Sequence, residues 1–383
     1  MTTMDSAKPV DESFTKALPK VELHAHLSGS ISRQCLHEIW KNKKAKDPDL
    51  QVEDPLVLMP PGKVDYTLQT FFQVFSKLIY QLCNDLESLA YATNSVLQDF
   101  HNDGVRYLEL RTIPRASPNT QITREEYLTT VLDTISAFKR STANKTPNEQ
   151  MSVFLILALD RGNTTAAEAE EIIDLAIANK SRGVVGVDLC GNPTQGDVTI
   201  YRDAFARAKA HGLGLTLHFA ETPASGGRDE LAALLSFRPD RLGHVIHVPD
   251  DVKAEIVKRG LGLELCMSCN VHAKLIDGGF LDHHFGSWRH EDCPIALCTD
   301  DVGFFCSPVS NEYLLAAQHF ELDRTQLLRI CRKSVDMIFG GDSEKQRLRR
   351  TLDEFAGSMG RADWFIARNF GIEVNIPNQL PDV

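Results

Sequence analysis

A chain of 383 residues, 43% hydrophobic and 24% charged, has enough apolar material for a large buried core and is not disordered in composition. Its formal net charge of −11 excludes general attraction to nucleic acid or anionic membrane, though one or two local arginines could still bind a small anion. Nine cysteines, an odd number scattered along the chain, read as reduced thiols of the cytosol rather than a disulfide framework.

The first twenty residues carry Asp5, Asp11 and Glu12 with no apolar core, so they do not read as a secretory signal. Eight short, nearly continuous apolar segments then read as parallel strands covered on both faces: 21–26, 105–111, 153–159, 184–189, 213–219, 242–246, 261–265 and 295–299. The longest apolar run, 153–159, is too short to cross a bilayer. Between the first two strands, 41–62 is polar and Pro-rich and reads as a loop. Residues 67–100 carry Phe71, Phe72, Phe75, Leu78, Ile79 and Leu82 at helical spacing. That insertion either covers the mouth of the fold as a lid or pocket wall, or packs outside as ordinary helices. Stretches 165–180 and 201–211, the second ended by Gly212, are rich in helix formers. The chain reads as helical from Ser307 to about residue 370, with a loose tail over 371–383. Strands alternating with helices imply one (β/α)8 TIM barrel spanning 1–383, with an inserted loop and helices at 41–100. Its chemistry would lie at the C-terminal ends of the strands.

Four motifs fall at such ends. In His24-Ala25-His26, alternate residues of a strand face one side, so both imidazoles can point inward and share a metal. His218 closes the fifth strand and Asp300 the eighth; three imidazoles and a carboxylate suit zinc with a position left for water. Glu221, three residues beyond His218, could reach a substrate without ligating the metal, or could be a solvated loop charge. His244 ends a Gly-His step on the sixth strand and is preferred over His247, which falls in the following loop. Asp300 and Asp301 are adjacent acids that repel unless a cation or donor intervenes; one on zinc and one accepting a hydrogen bond from substrate would answer that. Cys266-Met267-Ser268-Cys269 has no second pair at finger spacing and is not read as a metal or redox site. Asp282-His283-His284-Phe285 reads as local structure or pocket rim. The H-x-E and P-C-x-x-C signature of cytidine-type deaminases is missing, as are a P-loop and a dinucleotide fingerprint.

The stretch Pro19-Lys20-Val21-Glu22-Leu23-His24-Ala25-His26-Leu27 with Gly29 resembles the opening of the adenosine deaminase family of the amidohydrolase superfamily. The likeness continues through Gly186–Pro193, His218–Glu221, Arg241–His244 and Thr299–Asp301, from about residue 18 to 339. Residues 24–31, 264–271 and 283–288, and Cys298-Thr299-Asp300-Asp301 before Gly303-Phe304-Phe305, resemble its adenosine deaminase-like branch in particular. The resemblance implies one zinc per chain on His24, His26, His218 and Asp300, Glu221 as proton donor, and His244 acting on the attacking water. It implies substrate contacts at His26, Asp301, Gly191, Asp160 and Thr112-Ile113-Pro114-Arg115, with Arg115 meeting a phosphate through its planar fork. Ser28 stands where the branch has Asn and nucleoside enzymes have Asp, and Tyr80 falls near a usual His; both are carried as substrate contacts. The implied reaction converts N6-methyl-AMP and water to IMP and methylamine. The alternatives are deamination of adenosine or adenine, another amidohydrolase activity, or a non-catalytic zinc-bound nucleotide sensor. A cytosolic monomer acting on a small purine nucleotide, with neither nucleic acid nor membrane as partner, is expected.

Overall fold

The computed structural model describes residues 9–358 except Pro118, Asn119 and Pro147. Eight strands pair in parallel in chain order: β1 (Lys20–His26), β2 (Val105–Thr112), β3 (Ser152–Asp160), β4 (Val184–Cys190), β5 (Gly214–Phe219), β6 (Arg241–His244), β7 (Gly262–Leu265) and β8 (Ile295–Leu297). The ring closes where the His26 N–H donates to Asp300 O (3.0 Å) and the Asp300 N–H donates to His24 O (2.7 Å). This is the expected (β/α)8 TIM barrel.

Apolar strand faces pack outward on helices, as on Ala166–Ala178, which starts at a Thr165 capping box and buries Ile172 and Ile173. The interior instead carries paired charge. Arg111 joins Asp188 (3.0 Å) to Glu264 (2.7 Å), and Arg241 joins Glu109 to Glu264 (2.6 Å each), all fully buried or nearly so. Ion pairs dropped into an apolar interior persist only when every charge has its partner. Here each acid is clamped by an arginine, and the lattice fixes the strands that carry the site.

Two strands stop short of their sequence limits. β6 ends at His244 because His244 (φ 66°) and Val245 (φ 50°) are both left-handed, which breaks the ladder. β8 stops at Leu297, and Asp300 (φ 60°) turns inward beyond it.

The insertion departs from its reading as a loop at 41–62. Helix Arg33–Lys46 continues through that boundary and a short helix forms at Pro55–Leu58. The run 41–46 has no apolar stripe, but Lys43, Lys44 and Lys46 complement the negative helix terminus, and Lys43 reaches Asn84 (2.9 Å) and Asp85. Beyond it, Leu68–Val74 runs into a π-helical turn, Phe75–Ile79, then Tyr80–Leu82; Leu86–Asn102 restarts on the Asp85 cap. Phe71 and Phe75 pack on Phe304 (ring centroids 4.6 and 5.0 Å), which seats this segment over the barrel mouth as a wall. After Ser307 come helices Val309–Phe320, Arg324–Asp336 and Asp342–Ser358; the expected helix beyond residue 358 and the tail over 371–383 lie outside the described residues. Among the described residues no helix is long and apolar enough to cross a membrane.

Candidate active site

The expected residues converge at the C-terminal mouth. β1 presents His24 and His26 to one side, β5 presents His218, and β6 ends on His244. Left-handed turns at Ala220 (φ 51°) and Asp300 then aim Glu221 and Asp301 at the same point. Backbone strain of this kind concentrates at sites the surrounding structure holds by force.

Ligand atoms of His24, His218, His244 and Asp300 lie within 4.8 Å of one another. His26 joins the same cluster, its Nε2 3.1 Å from His218 Nε2 and 3.3 Å from Asp300 Oδ1. The residues behind decide which ring atoms face inward. Glu264, held ionised against its burial by Arg111 and Arg241, takes the His24 Nδ1–H at 2.6 Å. Asp188 takes the His218 Nδ1–H at 3.2 Å. The Nε2 atoms of both rings therefore face into the cluster, and His24 Nε2 is buried without a hydrogen-bond partner. Carboxylate–imidazole pairs of this kind orient metal ligands.

The electrostatics call for a cation. Burial and Arg111 press the His24 imidazole down, yet Asp300 and Glu264 outweigh them and raise it to about 9. Burial lowers His26, to about 4, and His218, so both present neutral rings. Against burial, the imidazoles of His24 and His26, with Nε2 atoms 3.5 and 3.3 Å from Asp300 Oδ1, hold Asp300 well below the usual carboxylate range. The neighbouring Asp301 goes the other way, raised well above it by burial and by Asp300 and Glu221. Glu221 is raised to about 8, first by burial and then by Asp300. Charge is favoured on one acid beside the rings and disfavoured on the other two. Imidazole nitrogens around a single ionised carboxylate form a donor set that fits zinc.

A cavity of about 300 Å³ opens above the cluster, and its wall includes His26, Ser28, Tyr80, Ile113, Arg115, Asp160, Gly191, His218, Glu221, Asp300 and Asp301. Phe71, Phe72, Phe75 and Phe305 supply its apolar side. The Arg115 guanidinium lies 3.3 Å from the Tyr80 ring centroid. Thr112 and Pro114 do not line the cavity; the Thr112 hydroxyl is spent on Tyr127 (2.8 Å). His247 is in the loop, its Nε2 3.2 Å from Leu275 O. Two glycines make room: a Cβ on Gly29 would lie 1.5 Å from Asp301 Oδ1, and one on Gly191 (φ 98°) 2.5 Å from Asp160 Oδ1.

Sequence reasoning missed Glu264 and Arg111, and it missed Cys269 and Asn270. Cys269 donates its thiol to Asp300 Oδ2 (2.9 Å), and Asn270 bonds His244 Nδ1 (3.2 Å). All nine cysteines are free, so Cys266 and Cys269 form no disulfide. The available signal was a charge inside an apolar strand run, as at Glu264, which an inward-facing barrel position explains.

A parallel barrel whose mouth gathers four imidazoles and three carboxyl groups, one of them favoured in its charged form, beneath a cavity defines a hydrolase site of the metal-assisted class. Comparison sharpens this: the adenosine deaminase family matches over residues 19–355, and the chain belongs to that family. Similar proteins include N6-methyl-AMP deaminases of Homo sapiens (34% identical, covering 91% of this chain and 97% of that protein) and Danio rerio (35%, 89% and 96%). Similar solved structures include the Arabidopsis N6-mAMP deaminase (TM-score 0.82, 32% identical, covering 89% of this chain and 99% of that one). Another is Arabidopsis ADAL complexed with IMP (TM-score 0.83, 31%, 91% and 99%).

Proposed function

We propose that this chain is a zinc-dependent deaminase of a purine nucleotide, converting N6-methyl-AMP and water to IMP and methylamine. His24, His26, His218 and Asp300 would hold one zinc, which when bound supplies a water acidified toward neutrality. Glu221, whose proton survives to about pH 8, donates it to N1 of the purine, making C6 electrophilic. His244 orients the attacking water, and Asp301, raised well above the usual carboxylate range, donates a hydrogen bond to the base. Gly191 lets the backbone close on the base, while Ile113 and the phenylalanines of the wall exclude water.

The observation that carries the nucleotide over the nucleoside is Arg115. It sits on the cavity wall of an acidic protein, stacked on Tyr80, and among the described residues no carboxylate lies within ion-pair reach of it. A guanidinium so placed fits a phosphate. The names of the relatives, and the IMP held by the Arabidopsis structure, support the same reading.

The test is a panel of AMP, N6-methyl-AMP, adenosine, N6-methyladenosine and adenine, scored by purine product and released amine with the zinc-loaded protein. N6-methyl-AMP should give IMP and methylamine at the highest kcat/KM. Equal turnover of adenosine would replace the nucleotide reading with a nucleoside one, and no turnover on any member would leave the sensor.

A further inference from the structure

His244 is held by a segment that the mechanism does not use, the His283-His284-Phe285 run and the short helix Phe285–Trp288. We propose that His283, acting through Asn270, fixes the tautomer of His244, making both positioning residues for the catalytic imidazole. The inference rests on the assignment of His244 as the group that faces the attacking water.

The argument starts from a donor that cannot be reversed. The Phe285 backbone N–H donates to His283 Nδ1 at 3.0 Å, so that nitrogen carries no proton and the ring must carry one on Nε2. His283 Nε2 lies 3.1 Å from Asn270 Oδ1, an acceptor only, so the His283 proton is donated there. The Asn270 amide is thereby oriented with its NH₂ toward His244, and Nδ2 donates to His244 Nδ1 at 3.2 Å. His244 Nδ1 is an acceptor, so its proton sits on Nε2. That Nε2–H is buried, without another partner, 4.0 Å from Glu221 Oε1 and 3.9 Å from Asp300 Oδ2.

Each link has one direction, and the chain ends on a donor aimed at the reacting water. A ring in this state offers no lone pair to a cation. His244 is therefore excluded from the metal set although its ring lies among the ligands, and the third imidazole must be His26.

The same segment restrains the strained backbone beneath the ring. His284 Nε2–H donates to the His244 carbonyl (2.6 Å), and Trp288 Nε1–H donates to the carbonyl of Val245 (3.2 Å). A β-branched residue at φ 50° is a true outlier and stays put only when its surroundings over-determine it. The stacked rings of His283 and His284 (centroids 4.1 Å apart) thus hold His244 twice, one by its ring through Asn270 and the other by its main chain.

The test labels histidine nitrogens with ¹⁵N in the full-length zinc-loaded protein and reads tautomers from long-range ¹H–¹⁵N correlations, assigning His244 by its loss in His244→Gln. The wild-type ring should be the Nε2–H form. In Asn270→Asp the carboxylate can only accept, so His244 should switch to Nδ1–H. kcat should then fall at least about 100-fold, with KM within a few-fold and zinc still at one per chain. His283→Leu should lower kcat similarly, while His283→Gln, whose amide can donate to the same Asn270 oxygen, should restore most of it. A wild-type Nδ1–H tautomer overturns the relay, as does an Asn270→Asp protein with unchanged tautomer and kcat. Should Asn270→Asp not fold, an equal loss in His283→Leu and His283→Gln overturns it. The wild-type tautomer is read without turnover, so failure of the substrate panel would not be mistaken for failure of the relay.

Discussion

At the scale of single residues, the site works by giving identical side chains opposite protonation. Asp300 and Asp301 are neighbours, yet the imidazoles of His24 and His26 push the first well below the usual carboxylate range, while burial and the charge of the first push the second well above it. Glu221 belongs with the protonated group, so Glu221→Gln should bind zinc and nucleotide normally and lose turnover by roughly 10²–10⁴-fold. A near-normal rate in a folded, zinc-loaded variant would remove it from the mechanism. Gly29→Ala is a second test: its Cβ would stand 1.5 Å from Asp301 Oδ1, so the carboxyl must move and kcat should collapse while zinc is kept. Wild-type kinetics would show that Asp301 need not hold its position. His24, His26, His218 and Asp300 were legible because each closes an apolar run, where a barrel aims its chemistry. Asn270 and Glu264 were not, because their meaning lies in what they touch: a ring 26 residues away for one, two arginines and an imidazole for the other.

At the scale of elements, the strands were readable and the places where they stop were not. The apolar run of β6 continues through Val245 and Ile246, so hydrophobicity alone extends the strand; two left-handed residues end it at His244. The insertion was readable as helical but not as interrupted: apolar spacing carries no mark of the π-helical turn at Phe75–Ile79, whose first residue packs on Phe304 from a distant segment. That turn carries the chain to Tyr80, on which Arg115 stacks. Arg115→Ala should therefore raise KM for N6-methyl-AMP at least tenfold and leave the rate on N6-methyladenosine nearly unchanged; equal losses on both would assign Arg115 to structure. Helix Val309–Phe320 contributes Glu312, buried against Ser268 and Ser307 behind the cavity and raised to about 7, mainly by burial. An acid raised on folding stabilises most below its unfolded pKa, and that stability is lost as pH rises through the folded one. Relative to Glu312→Gln, the wild type should therefore lose up to about 3 kcal/mol between roughly pH 4.5 and 7. Parallel denaturant melts would show it, and identical pH profiles for the two proteins would show that Glu312 is not desolvated.

At the scale of the whole molecule, the barrel is a charged lattice built to deliver a cation site. Eight apolar runs with helices between them announced the architecture, but the ion pairs through Arg111 and Arg241 lie inside it and tie β2, β4, β6 and β7 to the imidazole on β1. The lattice predicts what happens when metal leaves. With no cation beside Asp300, the surrounding carboxylates raise His24 to about 9, so the metal-free ring is protonated at pH 7.5 and replaces part of the missing charge. The apo protein should stay folded with a lower Tm, since a ligand at about a thousand times its Kd stabilises by about 4 kcal/mol and its removal forfeits that. Rebinding must expel the His24 proton, because only the neutral ring can ligate. Calorimetry at pH 7.5 in two buffers of different ionisation enthalpy should therefore give one zinc per chain and release of about one proton or more. His24→Ala should abolish tight binding. Zinc uptake without proton release would show that His24 is neutral in the apo site and that the carboxylates around it are not charged as the hydrogen bonds require. Two tight zinc ions per chain would overturn the single-cation site itself.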